Sequence, residues 1–278
     1  MKIALAADLH FGSVPEGLAS ELHSVIEAQM PDAVVIAGDL TLRARRREFE
    51  QAKIWLSAFE APTLVIPGNH DLPYFNLVQR FRKPFHRFHH VAGRASLMPV
   101  IERNGGMVLG FNTARSWQPH FRWQEGAARI RDIEAAKAAL SSLPADSFKA
   151  VAVHHPLMQV PGFPRAEPAR RAKLALAAFA ECGVDLIMSG HIHQSYAVET
   201  KFNGRTMLAV GAPTALSTRR RGEANGFWMI EAGQGTIRCT LWLRDETGFR
   251  PAQRKAFPRV RAEKCEMFSD KRPGETRS

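Results

Sequence analysis

Asp, Asn and His residues recur in five short blocks along the first two thirds of the chain. Each block directly follows a short apolar run, and together the blocks offer carboxylate oxygens, an amide oxygen and imidazole nitrogens but no thiolate. The blocks are Asp8-Leu9-His10, Gly38-Asp39, Gly68-Asn69-His70-Asp71, His154-His155-Pro156 and Gly190-His191-Ile192-His193. This donor set suits borderline and hard cations such as Mn, Fe and Zn rather than soft ones.

Each block taken alone has an ordinary structural explanation. An Asp-x-His pair commonly lies in a surface turn, and Gly-Asp commonly forms a turn with a helix cap. The pair His191 and His193 is more informative, because alternation along a strand places both imidazoles on one face. Five such blocks, each directly after an apolar run, favour one shared metal site over five independent turns.

The apolar runs predict five short strands, with helical patterns between them. The strand candidates are Ile3–Ala7, Ala33–Ala37, Thr63–Ile66, Ala150–His154 and Asp185–Met188. The helix candidates are Glu16–Gln29, Arg46–Glu60, Ala127–Leu140 and Ala169–Cys182. Strands that alternate with helices indicate a largely parallel sheet, whose carboxyl ends meet at one edge and bind ligands there.

Three turn signals predict antiparallel hairpins elsewhere in the chain. Asn104-Gly105 and Asn203-Gly204 each separate two apolar runs, and Gly233–Gly235 separates Phe227–Glu231 from Ile237–Leu243. The parallel and antiparallel signals together predict an α/β fold. We expect a four-layer α-β-β-α sandwich of two mixed sheets flanked by helices.

Composition and charge predict one domain followed by a tail. The 278 residues are 45% hydrophobic and 23% charged, which is ordinary for a globular chain with a substantial core. No linker divides the body, so residues 1–249 are predicted to form one domain. The net charge is +11, and the last 29 residues carry nine Lys or Arg against four Asp or Glu, with three prolines. Residues 250–278 are therefore predicted to be a basic, flexible tail.

Several features predict a cytoplasmic location. No apolar run is long enough to cross a bilayer. The first residues resemble a short signal sequence, but Asp8 and His10 follow too soon. The three scattered cysteines, Cys182, Cys239 and Cys265, form no disulfide pattern and favour a reducing compartment. Peripheral contact with the inner face of the membrane is the alternative that the basic charge leaves open.

The order of the five blocks resembles the calcineurin-like metallophosphoesterase family, whose signature reads D-x-H, G-D, G-N-H-[D/E], H and G-H-x-H. The match spans residues 8 to 193. The resemblance implies two divalent metal ions (Mn, Fe or Zn). It assigns to one ion Asp8, His10, Asp39 and His193. It assigns to the other Asp39, Asn69, His154 and His191, with Asp39 bridging.

The resemblance also implies hydrolysis of a phosphate ester by a hydroxide that bridges the two ions. His70 has no place among the ligands, and it would stabilise the phosphoryl charge or protonate the leaving oxygen. Asp71 would orient that imidazole, with a local turn partner as its alternative role. His155 would be packed or hydrogen-bonded rather than coordinating.

Within the family, Gly38–Thr41 and Gly68–Asp71 are most similar to bacterial class III cyclic nucleotide phosphodiesterases. We therefore expect an anionic phosphodiester substrate, with small diesters such as cyclic nucleotides as the first hypothesis. Two arginine clusters lie near the blocks in sequence. The residues predicted to contact the substrate are Arg43, Arg219 and Arg221.

The segment from Tyr74 to Val91 supports a different substrate. Its aromatic and aliphatic residues recur at near-helical spacing among four Lys or Arg, as in a lid or an interfacial helix, although Pro84 interrupts it. The alternative function is therefore a peripheral, phospholipase C-like phosphodiesterase or a lipid-linked pyrophosphate hydrolase. The alternative is a purely structural role, in which these aromatic residues pack on the core. A metal-bearing binding module without turnover is a third hypothesis, and nucleic-acid processing is the least favoured.

Overall fold

A computed structural model describes residues 1–74, 76–92, 97–117, 123–164 and 166–259. The strands in these ranges are β1 Lys2–Ala6, β2 Ala33–Ala37, β3 Thr63–Ile66, β4 Val100–Arg103, β5 Gly106–Gly110, β6 Phe148–Ala152, β7 Leu186–Ser189, β8 Tyr196–Phe202, β9 Arg205–Gly211, β10 Gly226–Ala232, β11 Thr236–Asp245 and β12 Gly248–Pro258. The α-helices are α1 Leu18–Ala28, α2 Arg46–Leu56, α3 Leu77–Arg82, α4 His86–Val91, α5 Ile130–Ser141 and α6 Ala172–Glu181. Every predicted strand and helix is present. β2 and β3 have the predicted bounds, and the ends of the others are shifted by no more than four residues.

The strands form two mixed sheets. The first has the order β12-β11-β10-β1-β2-β3, and the second has the order β4-β5-β6-β7-β9-β8. β1, β2 and β3 are parallel, as are β5, β6, β7 and β9, while the other pairings are antiparallel. The three predicted hairpins are present as β4–β5, β8–β9 and β10–β11.

The central strands β1 and β2 of the first sheet are buried on both faces, so their side chains divide between two apolar layers. Ile3 and Leu5 of β1 pack between the sheets with Val108 of β5, whereas Ala4 faces the other way and packs with Leu22 of α1. A third apolar cluster joins α5 and α6 to the outer face of the second sheet. The predicted four-layer sandwich is confirmed.

The predicted flexible tail is wrong for its first residues. β12 pairs with β11 from Asp245↔Gly248 to Thr236↔Pro258, with one irregularity in register. Most side chains of β12 are exposed, because an edge strand is held by backbone hydrogen bonds and needs no apolar pattern on its own side chains. The predicted tail from residue 260 onward lies outside the described residues.

The segment between Tyr74 and Val91 forms two helices, because α3 ends just before Pro84. Phe85 and Phe88 are buried in the core cluster beneath α4, whereas Val78 and Phe81 of α3 are exposed. Packing on the core therefore explains the aromatic residues of α4 but not those of α3. Phe75, which belongs to the same aromatic pattern, lies outside the described residues. Over the described part of the chain, no helix combines the length and the apolar character that a membrane span requires.

Candidate metal centre

The predicted ligands lie where strands of both sheets end. The loops after β1 and β2 run side by side, since the Asp8 amide donates to the Gly38 carbonyl (3.1 Å) and the His10 amide donates to the Asp39 carbonyl (3.0 Å). The His191 amide, after β7, donates to Asp8 Oδ2 at 3.0 Å. This bond joins the second sheet to the first directly at the site.

Five of the seven predicted ligands have left-handed backbone conformations. Their φ angles are 53° for Asp8, 47° for His10, 54° for Asp39, 71° for His191 and 64° for His193. A residue other than glycine costs on the order of 1–3 kcal/mol in such a conformation and persists where surrounding contacts fix it. Such residues cluster at functional sites, and here each follows the end of a strand.

Two signature glycines allow the backbone to approach the ligands closely. A Cβ atom on Gly68 would lie 2.0 Å from Asp39 Oδ1, and a Cβ atom on Gly38 would lie 2.4 Å from His154 Nδ1. Neither distance is physically allowed, so only glycine fits at these positions.

The first cluster of ligand atoms is formed by Asp8, His10, Asp39 and His193, all within 4.8 Å of one another. His193 Nε2 lies 3.5 Å from Asp8 Oδ1, and His10 Nε2 lies 3.8 Å from Asp39 Oδ2. Asp8 Oδ1 and His10 Nε2 are buried, and neither has a hydrogen-bond partner among the described residues. Because buried polar atoms without partners are costly, a cation fits at this cluster.

The second cluster is formed by His154, His155 and His191, whose ligand atoms also lie within 4.8 Å of one another. His154 Nε2 lies 3.2 Å from Asn69 Oδ1 and 3.5 Å from Asp39 Oδ2. Asp39 therefore contacts both clusters, which is the position that a bridging carboxylate requires.

Hydrogen bonds to the Nδ1 atoms orient the imidazoles. His154 Nδ1 lies 2.8 Å from the Ala37 carbonyl, to which it can only donate. His193 Nδ1 lies 2.7 Å from Thr214 Oγ1 and 3.0 Å from the Arg219 carbonyl. These bonds fix the proton on Nδ1 and leave Nε2 to face the cluster, which is the arrangement typical of histidines that bind metals.

Two threonines that the sequence did not single out support histidines of the site. Thr214 supports His193, and Thr113 Oγ1 lies 2.8 Å from His155 Nδ1. His155 is thus hydrogen-bonded, but it also belongs to the second cluster, so its exclusion from the ligands stays a prediction. Neither threonine belongs to a motif, and only the position of Thr214 directly after Gly211-Ala212-Pro213, at the end of β9, could have indicated its role.

Electrostatics favour three neutral imidazoles and one cationic imidazole, that of His154, around the anionic Asp39 carboxylate. Burial lowers the pKa of three histidines, to about 4 for His10 and His193 and to about 3 for His191. Burial opposes ionisation of Asp39, but the charge and hydrogen bond of His154, together with the charges of His70 and His10, hold the pKa of Asp39 well below its usual value. Burial likewise opposes protonation of His154, yet Asp39 raises its pKa to about 9. The three neutral imidazoles and the ionised carboxylate are already in the forms that bind a divalent cation, and a bound cation would displace the second proton of His154.

His70 lies beside the first cluster, with its ring 4.9 Å from that of His10 at a steep angle. Its Nδ1 lies 2.8 Å from the Leu42 carbonyl, and its Nε2 lies 3.2 Å from Arg219 Nη1. Because a guanidinium has only donors and a carbonyl only accepts, Nδ1 carries the proton and Nε2 is the acceptor.

Asp71 does not hold the His70 ring, so that part of its predicted role is wrong. Its buried carboxylate accepts from the Gly68 amide (2.9 Å), the Thr41 amide (2.9 Å) and the Thr41 hydroxyl (3.0 Å). Asp71 thereby ties the loop after β3 to the loop after β2. The Leu42 carbonyl orients His70 instead, and no residue type in the sequence signals that contact.

The predicted arginines divide into two groups. The Arg219 side chain contacts His70, and the positive charge of Arg221 helps to lower the pKa of His191 and His193 after the larger effect of burial. Arg43 is exposed, and no contact between its guanidinium and the clusters occurs within the described ranges. The structure thus brings Arg219 and Arg221 to the site but not Arg43.

The sequence profile of calcineurin-like phosphoesterases matches residues 1–195. The chain belongs to the calcineurin-like phosphoesterase family, and the predicted family is confirmed. Its membership supports a hydrolase whose clustered Asp, Asn and His residues are candidates for binding metal.

Two curated relatives share part of the sequence. Glycerophosphodiester phosphodiesterase GpdQ from Enterobacter lignolyticus is 36% identical over 84 residues, which are 26% of this chain and 30% of that protein. A probable cyclic nucleotide phosphodiesterase from Synechococcus sp. is 25% identical over 130 residues, 43% of this chain and 45% of that protein. The matched regions therefore span less than half of either relative.

Solved structures of the same fold cover nearly the whole chain. A dimetal phosphatase from Danio rerio has a TM-score of 0.66 at 12% identity and covers 94% of this chain and 99% of its own. Purple acid phosphatase PPD1 from yellow lupin has a TM-score of 0.66 at 13% identity, covering 92% of this chain and 53% of its own. At such identities the likeness supports the fold alone.

Proposed function

We propose that this chain hydrolyses phosphodiester bonds with two divalent metal ions bound at the candidate metal centre. The observation that carries the proposal is the position of Asp39, whose Oδ2 lies 3.8 Å from His10 Nε2 and 3.5 Å from His154 Nε2. Two cations about 4 Å apart require a shared anionic ligand of this kind. When bound, such ions would polarise the phosphoryl oxygens and acidify a water molecule to serve as the nucleophile.

Each ion would take four protein ligands, and Asp39 would belong to both sets. Asp8, His10 and His193 would complete the first set. Asn69, His154 and His191 would complete the second. This mixture of nitrogen and oxygen donors accepts Mn, Fe or Zn, and we propose Mn for the first test.

His70 and Arg219 would act on the substrate together. The Arg219 guanidinium would bind a phosphoryl oxygen and so release His70 Nε2 from their present hydrogen bond. Once protonated at Nε2, His70 would donate that proton to the leaving oxygen, while the Leu42 carbonyl keeps the ring in place. Arg221 would add positive charge beside the same oxygens.

We propose a small anionic diester, such as a cyclic nucleotide, as the substrate. The proposal is supported by the names of both curated relatives, of which one is a glycerophosphodiester phosphodiesterase and the other a probable cyclic nucleotide phosphodiesterase. We also propose a cytoplasmic location, which the buried free thiols of Cys182 and Cys239 support.

The second candidate function is hydrolysis of a lipid phosphodiester or a lipid-linked pyrophosphate. The observation that favours it is the exposed apolar surface of α3, because this helix follows the loop of Asn69, His70 and Asp71 after five intervening residues. A substrate held at a lipid surface would meet that helix on its way to the metal centre.

Phosphorus NMR of the Mn-loaded protein tests both candidates. The protein is incubated separately with 3′,5′-cyclic AMP, 2′,3′-cyclic AMP, glycerophosphocholine and phospholipid vesicles. An Asp39→Asn variant purified in the same way is the control, because any hydrolysis in that sample comes from contaminating enzymes. We expect nucleoside monophosphate or glycerophosphate to appear with wild type only. Release of phosphorylated headgroup from vesicles, with the soluble diesters inert, would instead establish the second candidate. A fully metal-loaded protein that hydrolyses no diester would overturn the proposal and favour a metal-bearing binding module.

A further inference from the structure

Five large apolar side chains are exposed on one part of the surface, which we call the rim patch. It consists of Tyr74, Leu77, Val78, Phe81 and Trp117, with exposed fractions of 55%, 60%, 66%, 58% and 62%. Single exposed apolar residues are common on soluble proteins, but contiguous aromatic and aliphatic groups mark an interaction surface.

Buried hydrogen bonds of Arg80 hold the rim patch together. Arg80 lies on α3 and is only 8% exposed. Its Nε donates to the Ser116 carbonyl at 2.8 Å, and its Nη1 donates to the Pro73 carbonyl at 3.2 Å. These bonds fasten the chain just before Trp117, and the chain just before Tyr74, to the same helix. The patch is therefore a built surface with a fixed relation to the loop of the metal centre.

The segment that carries four of the five rim-patch residues is basic. Residues 72–101 contain no Asp or Glu, and Arg82 and Lys83 lie exposed directly after Phe81. Tryptophan, tyrosine and phenylalanine beside arginine and lysine are the composition of surfaces that enter the headgroup region of anionic membranes. The aromatic rings enter the boundary of the acyl chains, and the cations pair with phosphate groups.

We propose that the rim patch docks this protein on the surface of a bilayer that contains anionic phospholipids. Docking would place the metal centre against phosphodiester headgroups, which adds a membrane substrate to the proposed function. Only this placement rests on the proposed function, because docking itself requires no hydrolysis. A second copy of the chain fits the patch less well. A symmetric pair would bring Arg82 and Lys83 of both copies together without any acidic partner in the segment.

Vesicle flotation measures the docking without any need for catalysis. Wild type is mixed with vesicles of phosphatidylcholine alone, or of equal parts phosphatidylcholine and phosphatidylglycerol. The test variant is the triple substitution Leu77→Ser, Val78→Ser and Phe81→Ser. The matched control is Ile130→Ser with Leu174→Ser, which removes exposed apolar groups from α5 and α6. Unfolding temperature and metal content identify any variant that fails to fold.

We expect wild type and the control to float with the anionic vesicles and the triple variant to bind roughly tenfold or more weakly. Added salt and the pair Arg82→Gln and Lys83→Gln should reduce the preference for anionic vesicles. Brominated lipids should quench tryptophan fluorescence in wild type but much less in Trp117→Phe. Equal flotation of wild type and the triple variant, or no flotation of either, would overturn the proposal.

Two further measurements separate this proposal from its rivals. Sedimentation that shows a wild-type dimer, broken by the triple variant in the absence of lipid, would assign the patch to a second copy and overturn the membrane proposal. Hydrolysis of a soluble diester, bis(p-nitrophenyl) phosphate, should be equal in wild type and the triple variant. Flotation without hydrolysis would overturn the proposed function alone. Hydrolysis without flotation would overturn the docking proposal alone.

Discussion

At the scale of single residues, the role open to each histidine depends on which of its ring nitrogens is already hydrogen-bonded. The Ala37 carbonyl occupies His154 Nδ1, so only Nε2 of that imidazole faces Asp39. His70 is held in the same way by the Leu42 carbonyl, but its Nε2 faces Arg219 instead of the clusters. The hydrogen bonds of the imidazoles therefore decide which ring nitrogen faces the clusters and which faces Arg219.

Replacing His70 with alanine should separate metal binding from turnover. The imidazole is not among the proposed ligands, and the His70 amide that donates to Asp39 Oδ1 at 2.8 Å is kept in the variant. We expect His70→Ala to retain the metal content of wild type and to lose about 10²- to 10⁴-fold in kcat. Metal analysis by mass spectrometry and steady-state kinetics measure the two quantities. Loss of metal in parallel with activity would contradict the role assigned to this residue.

Arg219 offers a second residue whose backbone and side chain have different roles. Its carbonyl accepts a hydrogen bond from His193 Nδ1, while its guanidinium contacts His70. Arg219→Ala should therefore keep the metal and weaken only the binding of the substrate. We expect KM for a diester to rise about 10- to 100-fold, the value of one hydrogen bond to a charged group. Arg220→Ala is the matched control, because Arg220 is an exposed neighbour of the same charge. An equal effect of both variants would mean that Arg219 acts only through general charge.

At the scale of elements, the loops after the strands are packed against one another and not only against the ligands. Asp71 joins the loop after β3 to that after β2, and Gly68 lies where any side chain would meet the Asp39 carboxylate. The spacing of the two loops therefore fixes the position of the Asp39 carboxylate.

The substitution Gly68→Ala tests this close packing. The added methyl group would begin 2.0 Å from Asp39 Oδ1, so the carboxylate must move. We expect metal affinity to fall by about 10- to 100-fold, which is the usual effect of disturbing groups that support metal ligands. Gly235→Ala is the control, since nothing lies within 4 Å of its added atom. Titration calorimetry with Mn compares the variants, and unchanged affinity in Gly68→Ala would show that the loops adjust freely.

Truncation tests the boundary of the folded domain. A chain that ends at Arg259 keeps β12 and the bond from Arg259 Nε to Asp185 Oδ2 (3.0 Å), so its free energy of unfolding should stay within about 0.5 kcal/mol of the full chain. A chain that ends at Thr247 loses β12 and the buried Phe249, which should cost about 3 kcal/mol or more. Urea unfolding measures both. Equal stability of the two truncated chains would contradict the contribution of β12.

At the scale of the whole molecule, the metal centre joins the two sheets. The first sheet supplies Asp8, His10, Asp39 and Asn69 from the loops after β1, β2 and β3, and the second sheet supplies His154, His191 and His193 from those after β6 and β7. An ion bound by the proposed ligands would therefore contact both halves of the sandwich at once. Its binding free energy should stabilise the global fold and not only a local loop.

Metal removal should consequently lower the unfolding temperature of the whole domain. A ligand that binds only the folded state stabilises it by about 2.7 kcal/mol at a concentration of 100 Kd. We expect Mn to raise the unfolding temperature of EDTA-treated wild type, in one cooperative transition followed by calorimetry. Asp39→Asn, which retains the shape but not the charge of the shared ligand, should lose most of that rise. The same rise in both proteins would mean that the ion binds elsewhere.

The sequence by itself determined the features that are local. Each ligand block directly follows its own strand, so the order of the blocks predicted both the strands and the residues that gather at their ends. The Asn-Gly turns predicted their hairpins for the same reason, because the turn residues carry the required backbone conformation themselves.

Only the tertiary structure decided the features that depend on distant backbone. The Leu42 carbonyl holds His70, Asp71 binds amides of another loop, and β12 pairs with β11 through its main chain. Every residue has the same carbonyl and amide groups, so the sequence carries no sign of which of them will meet. The exposed face of α3 was decided in the same way, because a side chain is buried only when another element lies against it.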